Sequence, residues 1–493
     1  MKRTVSLLIL QGLLAVLTAC QPVSAGALIE TPAQAAKALP TATAQPEVTP
    51  YATRPAYPPG ELVDYVAQTG DTLPALAAHF NTRVEEIQQA NQFIPATTTT
   101  MPPGMPMKIL IYFAPFWGTP YQIIPDQLFV NGPAQVGFQS DAFIRQQPGW
   151  LSSYYEYAAD ANRSAGEIVD LVAQKFSVSP RLLLALLEYQ SGALTQAQST
   201  AANSSYPLGY QKAGYNGVYL QLVWAANALN NYYYAWRDGS LVTFDHLDGR
   251  IDRPDPWQNA ASVALQVYFS LFLDNDAFAQ AVGPNGLAAV YRGLFGDPWT
   301  GAAPHIPGSL EQPTLLLPFK AGSTWALTGG PHTAWGEGEP LAAIDLAPGL
   351  ETGGCTPTDQ AALAMAAGVV VRSEPATVLL DLDGDGDERT GWVLFYFHLA
   401  TEGRAPVGTS LKLGDPVGLP SCEGGRATGT HVHIARKYNG EWIPAGGVLA
   451  FNLEGWVAAY GSAPYLGTLT RFSRTVTACS CSDAGSHITA GEK

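Results

Sequence analysis

Apolar positions along this chain change their spacing from block to block, and each change marks a different kind of structure. Val5 to Val16 is a nearly unbroken apolar run behind Lys2 and Arg3. It is too short to span a bilayer, which takes ~20 apolar residues, so residues 1–19 read as a signal peptide. Residues 20–60 are rich in proline and alanine and poor in large apolar side chains. Such a stretch cannot bury enough surface to offset chain entropy. It is expected to be an extended tether, reaching up to roughly 120 Å at ~3.1 Å per residue. In residues 61–113, Val63, Tyr65 and Val66 read as a strand. Leu73, Leu76, Ala77 and Phe80 then recur at helical spacing, Val84 and Ile87 open a second short helix, and Gly104 to Tyr112 returns as a strand. Asp71 stands where it would cap the first helix. Residues 120–300 read as helical. Ser179-Pro180 supplies a cap and a first-turn proline ahead of Leu182, Leu183, Leu186 and Leu187. Further helices are expected over 218–236, 258–273 and 286–294. From 315 to 470 short β-rich runs alternate with Gly and Pro, with strands expected over 368–371, 376–382, 391–399 and 431–436. Residues 471–493 read as a tail. The expected fold class is multidomain α+β: a small βααβ unit, a helical domain and a C-terminal antiparallel β-rich domain.

Composition narrows the function classes. At ~100–200 residues per domain, 493 residues allow several cores. With 47% apolar and 14% charged residues the chain is neither disordered nor a coiled coil. A net charge of −15 argues against a nucleic-acid-binding surface. Leu17-Thr18-Ala19-Cys20 matches a bacterial lipobox. Cleavage before Cys20 and lipidation of its thiol are therefore expected, which places the protein outside the cytoplasm, lipid-anchored to the membrane in the cell envelope. Four cysteines remain: Cys355, Cys422, Cys479 and Cys481. An even number in an oxidising compartment points to disulfides, and four allow three pairings, of which Cys355–Cys422 is preferred. Cys479-x-Cys481 has no second Cys/His pair nearby and reads as a tail disulfide rather than a metal site.

The block "YVAQTGDTLPALAAHFNTRVEEIQQANQF…PPGMPMKIL" resembles the LysM module over its whole length. The resemblance implies binding of N-acetylglucosamine-containing glycan in a groove lined or shaped by Gly70, Asp71, Thr72, Asn91 and Gln92. In the helical domain, "VSPRLLLALLEYQSG" resembles one helix of the lysozyme-like lytic transglycosylases, in which the residue before the Ser is the catalytic acid. Here that residue is Gln190, which cannot act as a carboxylic acid, and Glu188 lies elsewhere round the helix. The domain therefore reads as lysozyme-like and non-catalytic.

Four of the eight histidines fall between 332 and 433. In His431-Val432-His433, both imidazoles project from one face of a strand. His398 ends the apolar run "GWVLFYFHLA", His332 sits in the Gly-rich "TGGPHTAWGEG", and Asp345 lies in the apolar "PLAAIDLAP", where a carboxylate needs a partner. Two histidines and a carboxylate around zinc, with the fourth position left to water, form a known catalytic arrangement. The signatures "AIDLAP", "YFHLA", "LGDPVG" and "GTHVHIAR" resemble the lysostaphin-type zinc peptidoglycan endopeptidases. Most of that family carry the first metal histidine four residues before the Asp, where this chain has Leu341. His332 in "GGPH", thirteen residues before Asp345, fits the β-lytic-type branch instead. The resemblance then implies His332, Asp345 and His433 as zinc ligands and His398 and His431 as the catalytic pair.

In "DLDGDGDERTGW", Asp381, Asp383, Asp385 and Gly386 match the start of a calcium loop. The twelfth position is Trp392 rather than Glu, so this is not an EF-hand. It reads as an acidic hairpin turn, with Ca²⁺ as a second candidate cofactor beside Zn²⁺. Together these features describe a lipid-anchored, modular cell-wall hydrolase: LysM holds peptidoglycan glycan while the zinc domain cuts peptide crosslinks. The competing reading is a non-catalytic wall-binding scaffold or regulator of other hydrolases.

Overall fold

The computed structural model describes residues 54–112, 117–349, 353–481 and 483–492. Cys20, the signal peptide and most of the tether lie outside the described residues. Among the described residues no helix is long and apolar enough to cross a membrane.

The first unit is β1 (Glu61–Val66), α1 (Leu73–His79), α2 (Val84–Ala90) and β2 (Pro106–Ile111), with β1 and β2 antiparallel. Alternate residues Val63 and Tyr65 of β1, and Met107, Ile109 and Ile111 of β2, bury against Leu76, Phe80 and Ile87. The cap of α1 differs from expectation. The helix starts at Leu73, so Thr72 is the cap and its Oγ1 accepts from Ala75 N at 3.3 Å. Asp71 turns back instead, accepting from Tyr65 Oη and Gln68 N at 2.7 Å each.

The middle block contains α3 (Ala165–Phe176), α4 (Pro180–Ser191), α5 (Val218–Asp238) and α6 (Ala260–Ser270), with further helices at Asn275–Val282 and Leu287–Phe295. Helix α4 begins as its sequence dictates: Ser179 Oγ accepts from Leu182 N at 3.2 Å, and Pro180 occupies the first turn. Every residue of α6 is buried, as befits a central helix apolar all round.

In the C-terminal domain, β3 (Thr324–His332), β4 (Ala343–Pro348), β5 (Gly368–Glu374), β6 (Ala376–Asp381), β7 (Trp392–Leu399) and β8 (Val432–Tyr438) form one sheet. Their order is β5-β6-β7-β8-β4-β3, and every pairing is antiparallel. A smaller sheet holds β9 (Asn452–Leu453), β10 (Trp456–Tyr460), β11 (Gly467–Arg471) and β12 (Arg474–Thr477). The stretch expected to be a tail is part of this domain. Its β13 (His487–Thr489) pairs with β3, and Ile488 is buried in the core.

Strands β6, β7 and β8 are buried at successive positions because both faces of the sheet are covered. Val378, Leu380, Leu394, Tyr396 and Ile434 enter the core of the β domain. Their neighbours Leu379, Val393, Phe395 and Ala435 point the other way, into the core of the helical block. The helical block and the sheet therefore share one hydrophobic core. A buried ionic network crosses the same junction. Arg237 of α5 lies 3.2 Å from both Glu441 Oε1 and Asp126 Oδ2, and it also donates to Thr69 O of the first unit. Glu441 Oε2 accepts from Tyr233 Oη at 2.9 Å and meets His305 Nε2 at 2.6 Å. Burial alone would raise the Glu441 carboxyl, but Arg237 and His305 reverse this and hold it at about 2.

Candidate metal centre

His433 and Asp345 face each other across the β8–β4 ladder, and His332 ends β3 on the other side of β4. The glycines of "TGGPH" make room. A Cβ on Gly329 would stand 2.5 Å from Asp345 Oδ2, and one on Gly330 would stand 2.7 Å from the backbone at Leu466 and Gly467.

The three donor atoms form a compact triangle. His332 Nε2 is 3.0 Å from His433 Nδ1 and 3.3 Å from Asp345 Oδ1, and His433 Nδ1 is 3.2 Å from Asp345 Oδ1. Ligands at ~2.05 Å in a tetrahedron stand ~3.3 Å apart, so these edges match one face of a zinc site. The hydrogen bonds behind the rings set their tautomers. His332 Nδ1 donates to Gly330 O at 2.8 Å, and His433 Nε2 donates to Ala334 O at 3.1 Å. Each neutral ring thus turns a lone pair inward, and two lone pairs 3.0 Å apart beside a carboxylate call for a cation between them. Asp345 Oδ1 is buried with no hydrogen-bond donor, an orphan that a metal would satisfy. The donor set fits zinc. The electrostatics agree: despite its burial, His332 and His433 hold the Asp345 carboxyl well below the usual carboxylate range. Burial lowers His433, whereas on His332 the pull of Asp345 outweighs burial and raises it.

His431 and His398 stand beside this triangle, with ring centroids 4.5 Å apart. Each donates Nδ1–H to a backbone carbonyl at 2.8 Å, His431 to Gly429 and His398 to Glu423, which leaves both Nε2 atoms as acceptors. His431 Nε2 is 3.7 Å from Asp345 Oδ1. His398 arrives by an irregular route. Phe397 pairs with His433, so simple alternation would send His398 to the opposite face. A bulge between β6 and β7 and a left-handed φ of 60° at His398 turn it back toward His431. Burial, reinforced by neighbouring His431, pushes its pKa down to about 4.

These residues line an open cleft of about 540 Å³, and among the described residues none of its walls comes from 54–312. Two further wall residues were missed from sequence. The Tyr465 ring stacks on His332 with centroids 4.1 Å apart, and it comes from a loop that carries no motif. Arg426 is the other, and its place five residues before His431 in "GGRATGTHVH" was a usable signal. The Cys355–Cys422 bridge, S–S 2.04 Å, ties the loops beside the cleft, and Cys479 and Cys481 are joined on its wall.

The remaining candidates have other partners. Glu188 accepts from Leu194 N at 2.7 Å and from Thr195 N at 3.2 Å, so its carboxylate closes the turn after α4. Asp381, Asp383 and Asp385 lie close together, and each accepts a backbone N–H within its own hairpin turn. In the LysM unit Asn91 is buried, with its amide bonded to Ile87 O, Lys108 O and Lys108 N. Gly70 lies against the Arg237 guanidinium, Thr72 caps α1 and Gln92 is exposed. On either side of these residues, Thr69 Oγ1 donates to Ile306 O and Thr100 Oγ1 to Pro307 O, in the segment before the β domain.

A family model described as "LasA, N-terminal domain" matches residues 122–309, the block whose α4 resembles a lysozyme-like helix. A model described as "LysM domain" matches residues 65–109. Protease LasA of Pseudomonas aeruginosa strain UCBPP-PA14 is 26% identical over 343 residues, covering 64% of this chain and 74% of the relative. Protease LasA of strain PAO1 is 26% identical over 318 residues, covering 59% and 71%. Among solved structures, the M23 metalloprotease pseudoalterin from deep-sea is 22% identical, with TM-score 0.29, covering 34% of this chain and 96% of its own. Lysostaphin from Staphylococcus simulans is 19% identical, with TM-score 0.18, covering 29% and 60%. The chain carries a LysM domain and a LasA N-terminal domain, and it resembles the lysostaphin/LasA-type peptidoglycan endopeptidases.

Proposed function

We propose that this protein is a zinc-dependent endopeptidase that hydrolyses peptide crosslinks in peptidoglycan, tethered to the membrane through lipid on Cys20. The observation that carries the reading is the inward-facing triangle of His332 Nε2, Asp345 Oδ1 and His433 Nδ1 in an open cleft. A bound Zn²⁺ would polarise the scissile carbonyl and lower the pKa of its water toward ~7. The chain's own residues supply the proton handling. His398 and His431 line the cleft, and with each Nδ1 engaged by a backbone carbonyl, each ring has Nε2 as its acceptor. Such a nitrogen can take a proton from the attacking water and return it to the leaving amine. The carbonyls of Gly330 and Ala334 hold the ligand rings in the tautomers that face inward. The LysM domain would hold glycan and raise the local concentration of crosslinks without adding contacts at the active site.

Purified peptidoglycan digested with the protein, with and without a chelator, tests this directly. Crosslinked muropeptides resolved into peptide-cleaved products, identified by mass spectrometry and abolished by the chelator, are expected. Digestion that survives chelation would refute zinc dependence. The absence of any product with zinc-loaded protein would favour the scaffold reading.

A further inference from the structure

We propose that Asn227 and Asn231 of α5 are positioning residues, which hold the 333–339 loop that follows His332 and, through it, the His433 ligand. The inference rests on the metal-centre reading above. Asn227 and Asn231 are four residues apart, so they share one side of the helix. Asn227 Oδ1 accepts from Glu337 N at 2.8 Å, and Asn231 Oδ1 accepts from Glu339 N at 2.8 Å. Asn231 Nδ2 donates to Glu337 O at 2.9 Å and back to Asn227 O at 2.8 Å. The two amides thereby serve three backbone groups of a loop whose residues 336–338 are exposed.

The fit is close. Gly336 and Gly338 have φ of 87° and 86°, and a Cβ on either would collide with the amide oxygen of Asn227 or Asn231. Two glycines in an exposed loop bring high chain entropy, which these hydrogen bonds offset. The loop also bears directly on the centre. It leaves β3 at His332, and its Ala334 O fixes the tautomer in which His433 Nδ1 faces the metal position. A partner of this kind behind a metal ligand is typically worth ~10–100-fold in metal affinity or activity. Neither asparagine lines the cleft, so neither touches substrate. The helical block therefore does more for the centre than share its core with the sheet: it holds in place the loop that follows His332 and orients His433.

The test uses the full chain as wild type, N227A/N231A, N227A and N227D. Zinc affinity is measured by competition with a chromophoric chelator, and kcat and KM for peptidoglycan digestion are measured at saturating zinc. Acting one step behind the Ala334 partner of His433, the double variant is expected to bind zinc up to ~10-fold more weakly and to lose kcat while KM holds. N227D keeps the acceptor for Glu337 N and is expected to restore affinity that N227A loses. If the double variant does not fold, the N227A and N227D pair decides. Wild-type zinc affinity in N227A/N231A, or in N227A where that pair decides, overturns this inference alone. A wild-type chain that binds no zinc overturns the metal-centre reading and this inference with it.

Discussion

Replacing Glu441 tests whether the blocks of this protein are locked together by the charges at their junction. Glu441→Ala leaves Arg237, whose side chain is 8% exposed, with Asp126 as its remaining carboxylate at 3.2 Å. It also strips His305 and Tyr233 of their shared acceptor. The cost follows from the carboxyl's acidity. A fall from the ordinary 4.5 to about 2 is worth about 3 kcal/mol, at ~1.4 kcal/mol per tenfold change. Breaking a buried pair by removing one partner typically costs ~3–5 kcal/mol, which agrees. The carboxyl is more acidic folded than unfolded, so its stabilisation is complete above about pH 5 and is lost as pH falls through about 2. The assay is urea unfolding of wild type and E441A from pH 7 to pH 3. The expected difference is about 3 kcal/mol at pH 7, shrinking to under half that by pH 3. A loss below about 1 kcal/mol at pH 7, or one that does not shrink with acid, would refute the argument.

Further outcomes follow from the cleft. His398→Asn keeps a residue that tolerates the left-handed backbone, so the melting temperature should hold while peptidoglycan digestion falls by ~100-fold or more. In metal-free wild type the His398 ring should titrate near 4 rather than 6.5, read from its NMR shift against pH. Removing the Cys355–Cys422 bridge opens a loop closed across 67 positions, which should cost about 4 kcal/mol in denaturant unfolding. Gly329→Ala pushes a methyl onto Asp345 Oδ2 and should weaken zinc binding, measured by chelator competition, with little change in circular dichroism.

Much of this centre was legible in the sequence because it obeys short-range periodicity. His431, just before β8, and His433 on it turn to the same side by simple alternation, and the Ser179-Pro180 start of α4 is written in adjacent residues. His398 illustrates what periodicity misses. Its placement depends on a bulge and a left-handed φ that no local pattern announces, and strict alternation would bury it in the opposite face. Tyr465 reaches His332 from a distant loop through tertiary folding alone. The sharing of one core was hidden for a related reason. Runs such as "TVLL" and "VLFYF" show that a strand is buried on both faces, without showing that Val393 and Phe395 meet the helical block. Helix α1 shows how local the limit can be, since a one-residue difference in its start made Thr72 the cap and left Asp71 to the turn.

The central claim is that His332, Asp345 and His433 together hold a catalytic zinc ion. Metal content of purified wild type and His332→Ala, measured by mass spectrometry after equal exposure to zinc, tests it most directly. The account predicts one bound zinc per wild-type chain and loss of that ion in the variant, with both proteins folded. Full zinc retention by His332→Ala would contradict it.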